Sequence, residues 1–69
     1  MEPDTLYYQR RITEELAAAR RAITGAARLR HFQLIEAFAA RLEALGYDAP
    51  IAKDELERLK ADCAESSVA

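Results

Sequence analysis

The sequence predicts an all-α protein, and three observations predict it. Alanine, leucine, glutamate and arginine dominate the 69 residues, and all four favour helix. Only two glycines and two prolines punctuate the chain, and valine occurs once, so no strand-like alternation develops. Apolar residues recur instead at spacings of three and four, in three successive blocks. The expected architecture is one small domain: an antiparallel helical hairpin plus a short C-terminal third helix. As a dimer it is expected to form a four-helix bundle.

The first helix is expected over about residues 4–24, after a short polar lead from Met1 to Pro3. Asp4 can cap it by accepting backbone amides of the first turn. Tyr8, Ile12, Leu16, Ala19 and Ile23 form a narrow apolar stripe, flanked by Glu15 and Arg20. Arg10, Glu14, Ala17 and Arg21 fill the far side. Leu6 and Tyr7 fall off the stripe and call for a helix end packing sideways or a partner surface.

Thr24-Gly25 is the only break before the next helical pattern. A single helix running through it would reach about 40 residues, near 60 Å. The phase of the stripes decides against it, because a straight continuation carries Phe38 and Leu42 well round from the Ile12 face. A turn within Ile23 to Ala27 lets the two faces meet. The second helix, about residues 26–45, is the central one. Ala27, His31, Leu34, Ile35, Phe38, Ala39, Leu42 and Leu45 share a broad face with Phe32 at its edge. Arg30, Gln33, Glu36, Arg41 and Glu43 lie opposite or beside it. So wide an arc asks for more than one neighbour.

Gly46 is the expected left-handed terminator of the central helix, with Tyr47 folding back on Leu42. Asp48-Ala49-Pro50 then reads as a linker, Pro50 suiting the first turn of a third helix over about residues 50–63. Ala52, Leu56, Leu59 and Cys63 are its weak apolar stripe, and residues 64–69 read as a frayed tail.

A chain of this size has a marginal core without extra support. One cysteine excludes an internal disulfide, and one histidine with one cysteine falls short of a structural zinc site. No cofactor or metal is expected, and self-association is the remaining common device. There is no basic leader with an apolar core and no run of the roughly 20 apolar residues a membrane span needs. The expectation is a soluble, cytoplasmic protein that does not engage membrane. Eight of the ten basic residues are arginine, which together with the alanines suggests a GC-rich bacterial genome.

Charge divides along the chain. Residues 10–42 hold seven arginines against three glutamates, and residues 43–69 hold seven acids against three bases, within an overall −2. The acidic third segment is therefore expected to lie against the basic hairpin, of its own chain or of a second copy.

Few residues invite chemistry. His31 lies in the middle of the apolar face, where a histidine is satisfied by one partner; Glu14, Glu15 or a tyrosine hydroxyl could serve. Phosphotransfer domains expose their histidine before small and basic residues, and His31-Phe32-Gln33-Leu34 lacks that pattern. Cys63 reads as a small apolar residue, since its only recruitable base is the distant His31. Asp54, Glu55, Glu57 and Asp62 lack the spacing and the glycine of a calcium loop. Arg10, Arg11, Arg20 and Arg21 could form a basic face toward phosphates, but their interleaving with alanines and the net negative charge favour a solvated, partly paired surface, and no nucleic-acid partner is expected.

The order Tyr7-Tyr8, Arg10-Arg11, Glu14-Glu15-Leu16, then His31, Leu34 and Phe38 on a second helix, resembles short helical-hairpin proteins of α-proteobacteria. The resemblance covers about Tyr7 to Leu45 and implies a fold, with no activity and no catalytic residue attached. The function expected is protein–protein interaction without turnover, by a small regulatory or accessory homodimer. Tyr7, Leu34, Phe38, Leu42 and Leu45 are its candidate surface. The alternative is a nucleic-acid-associated regulator using the arginine-rich hairpin.

Overall fold

The computed structural model describes residues 4–68, with side chains through Cys63. Three α-helices follow in order: α1 (Asp4–Arg21), α2 (Gly25–Ala44) and α3 (Lys53–Val68). Among the described residues there is no strand. Helix α2 packs against α1 on one side and against α3 on another, while the α1 and α3 backbones stay apart. The result is a slab of 43 × 22 × 13 Å built around α2.

The hairpin turn occupies three residues, Ala22, Ile23 and Thr24. Thr24 makes it. Its extended backbone stops one helix, and its side-chain oxygen accepts the Ala27 amide at 3.1 Å to start the next. Its carbonyl accepts the Arg28 amide at 3.1 Å, the first bond of α2. On the other side of the turn, the Arg28 guanidinium donates to the Ala22 carbonyl at 3.2 Å, satisfying a group beyond the end of α1. Gly25 is simply the first helical residue; among the described residues only Gly46 has positive φ. Because α1 stops at Arg21, Ile23 leaves the stripe expected for it and stands 94% exposed in the turn.

Helix α2 ends as the sequence predicts. Gly46 adopts φ +87°, the Tyr47 amide donates to the Leu42 carbonyl and the Gly46 amide to that of Glu43, both at 3.0 Å. These are the paired bonds of a Schellman cap. The linker differs from expectation. Pro50 precedes α3 without entering it, and the first bond of α3 runs from the Leu56 amide to the Ala52 carbonyl. Ala49 and Ile51 pack against the core from this non-helical stretch, which holds the backbone out of helix until Lys53. At the far end α3 passes Cys63 and continues to Val68, through the stretch read as a tail. No glycine or proline lies there to stop it. Met1 to Pro3 and Ala69 lie outside the described residues.

The core consists of Ile12 and Ala19 from α1, Phe32, Ile35 and Leu42 from α2, and Leu56 and Cys63 from α3. The buried arc of α2 is rotated from the expected one. Phe32, read as an edge residue, is buried, whereas Leu34 and Leu45 are 40% and 49% exposed. The cause is α3, which docks on the Phe32 and Ala39 side and leaves the opposite side uncovered. A Lys60–Glu36 ion pair at 2.8 Å marks that α2–α3 contact.

Candidate functional site

Two surfaces and one part-buried network carry the polar and aromatic side chains that could do work. The network lies in the α1–α2 seam. Ile12 and Ala19 place Glu15 on the inner side of α1, where it is 7% exposed. One of its oxygens accepts from Arg11 Nη2 at 2.9 Å, and the other lies 2.6 Å from His31 Nδ1 across the seam. A carboxylate only accepts, so the histidine's Nδ1 carries the proton. Arg11 also donates to Glu14 at 3.0 Å. The Glu14 bond, then the charge of Glu15, hold the Arg11 guanidinium above its ordinary value. It is therefore a fixed cation. His31 is half-buried and its nearest described charge is the Glu15 carboxylate, one of the partners the sequence reading names.

The first surface is the side of the hairpin turned away from α3. Leu34 and Leu45 lie across α2 from Phe32, Ala39 and Glu36, the residues on the α3 side. Between them, half-buried Phe38 meets Tyr8 at a centroid distance of 5.9 Å and Tyr7, edge-on, at 6.4 Å. Arg11 lies over the Phe38 ring at 5.5 Å and Arg10 over that of Tyr7 at 6.0 Å. Tyr7, off the α1 stripe in the sequence, is thus held on the hairpin edge and stays 41% exposed. Of the five residues expected to form an interaction surface, four meet on this side. Leu42 does not. It is fully buried, because its position on α2 points into the space filled by α1 and α3, so its role is structural.

The candidate basic face is not a single face. Arg11 is turned toward Glu14, Glu15 and Phe38, whereas Arg10 and Arg21 share an outer side of α1 and Arg20 sits on a different one. Arg20 and Arg21 occupy the last turn, where cations complement the helix dipole. The acidic third segment packs on α2, and among the described residues its backbone stays clear of α1, the helix that carries these four arginines.

The second surface is a cleft between the C-terminal half of α2, the 47–52 linker and the start of α3. It encloses about 340 Å³. Ala39, Ala40, Ile51 and Leu56 supply apolar walls, and Glu43, Asp48 and Glu57 stand on its margin. Sequence reasoning missed it. The acids and alanines were visible, but their convergence depends on Ile51 drawing the linker back over α2.

Cys63 is buried in the core, near Phe32 and Leu59. Among the described residues no group of three histidine, cysteine or acidic side chains is placed to hold a metal ion. No described helix is long and apolar enough to cross a membrane. No protein-family model, curated protein or solved structure matches the chain.

Proposed function

We propose that the protein acts by binding other proteins, without turnover, as a small regulatory or accessory homodimer. In this reading two hairpins pack through their α3-free sides into a four-helix bundle. One observation carries it: Tyr7, Leu34 and Leu45, all at least 40% exposed, surround the Phe38 aromatic cluster on one side of the hairpin. Tyrosine and arginine beside leucine and phenylalanine is the composition of interface centres. Two such helices side by side offer roughly 30 by 20 Å, or about 600 Å² per partner, at the lower end of stable interfaces. Arg30 and Arg41 stand at the margin of this side, where their stems can cover apolar surface while the charges stay in water.

Sedimentation velocity over a micromolar concentration series tests the reading. Wild type is expected to shift from monomer to dimer, and Leu34→Glu with Leu45→Glu to stay monomeric with unchanged helix content. A wild-type monomer throughout that range would overturn it.

A further inference from the structure

We propose that the cleft between α2, the 47–52 linker and α3 is a second binding site, for an amphipathic helical segment bearing lysine or arginine. The proposal does not rest on the dimer, because the cleft opens on the opposite side of α2 from Leu34 and Leu45.

The shape of the cleft supports a side-chain-sized occupant. Its volume, about 340 Å³, lies at the small end of ligand-binding clefts. Ala39 and Ala40 are short, so α2 presents a low floor there, while Ile51 and Leu56 rise as apolar walls from the linker and α3. Ile51 is already anchored on the core, so the wall is in place before any partner arrives. A preformed apolar floor saves the ordering that a flexible surface would require.

Charge decides what fills it. Glu43, Asp48 and Glu57 line the margin and make no ion pair among the described residues. Glu36 is on the same margin but is already neutralised by Lys60 at 2.8 Å. Lys53 is the one basic residue of the lining, which leaves three carboxylates against one ammonium. An anionic or purely apolar segment would bury against these acids at a loss. A lysine or arginine satisfies both halves of the site, its methylene stem on the alanine floor and its charge among the carboxylates. A helix offers such a side chain together with leucines at i+3 and i+4 to meet Ile51 and Leu56.

The test uses the full chain and a fluorescently labelled peptide of leucine and lysine at amphipathic helical spacing, with a leucine–glutamate peptide as control. Fluorescence anisotropy should show binding of the first and not of the second. Two variants at exposed positions locate it. Glu43→Gln with Asp48→Asn and Glu57→Gln removes the charge, and Ala40→Trp fills the floor while leaving every charge. Each should weaken the lysine peptide about tenfold, with helix content unchanged by circular dichroism. Leu34→Glu should bind as wild type does. Equal binding of both peptides, no binding of the lysine peptide, or full binding by Ala40→Trp would overturn the proposal. The last result would mean that the peptide responds to diffuse negative charge and not to the cleft.

Discussion

Glu15 Oε2 and His31 Nδ1 stand 2.6 Å apart and tie the first helix of the hairpin to the second. The contact is a polar side-chain link between α1 and α2 in a seam packed mainly by apolar and aromatic side chains. Glu15 is nearly buried, and Arg11 holds its other oxygen at 2.9 Å. Removing the acceptor takes a partner from His31 and from Arg11, which keeps Glu14, whereas removing the histidine leaves Glu15 with Arg11.

This asymmetry fixes the first prediction. Glu15→Ala is expected to cost about 2 kcal/mol and His31→Ala about 1, in the range of hydrogen bonds to charged groups. The double variant should cost less than the sum, by roughly 0.5–1 kcal/mol. Urea unfolding of the four proteins measures it. Additive losses would show that the two side chains do not interact in solution.

Arg11 gives the second prediction, on pH. Its folded-state value is raised, first by the Glu14 hydrogen bond and then by the charge of Glu15, with burial opposing. Stability from a raised cation is complete below its unfolded value and is lost only as pH climbs through the folded one. For an arginine both lie above the ordinary working range. The stability lost in Arg11→Gln should therefore be constant from about pH 6 to pH 9. Because the guanidinium is largely solvent-screened, the loss should be small and should shrink with added salt. Unfolding midpoints of both proteins across that window check this. A loss that disappears toward the alkaline end would assign the pairing to some other, titrating cation.

What the sequence made legible follows from which interactions are local. The turn at Thr24 and the cap at Gly46 depend on residues within four positions, and both are where the pattern puts them. The stripe Tyr8, Ile12, Leu16 and Ala19 holds for the same reason. Glu15, one of the partners the sequence offers His31, lies 16 residues away and meets it because the turn brings two locally encoded helix faces together. Phe32, read as an edge residue, and Leu42, read as part of the interaction surface, are both buried because of where α3 docks, and nothing in α2 itself encodes that. Ile51 shows the same limit. Its neighbours suit a helix start, yet burial against the core outweighs that preference and delays α3 to Lys53. The acid-rimmed cleft follows from Ile51, so it too was invisible until the linker's path was known. Ile23 continued a stripe by spacing alone and lost its place once Thr24 ended the helix early.

The two glycines give the last prediction, because the structure separates what their identity alone would treat alike. Gly46 sits at φ +87°, where an L side chain is strained, and a Cβ added there would meet nothing within 4 Å. Gly46→Ala therefore tests backbone strain without steric clash, and a loss of about 1 kcal/mol is expected. Gly25 is the first residue of α2 and has no positive φ, so alanine suits its backbone. Gly25→Ala should stabilise by about 0.5 kcal/mol, through reduced freedom of the unfolded chain and better helix propensity. Thr24→Ala completes the set: it removes the bond to the Ala27 amide and should cost about 1 kcal/mol. Thermal melts of the three variants read the signs directly, since in a domain of this size each kcal/mol moves the midpoint by roughly 4–8 °C. If Gly25→Ala proved as damaging as Gly46→Ala, the turn would be made by glycine and not by the threonine cap. The hairpin would then close through a different backbone path from the one described.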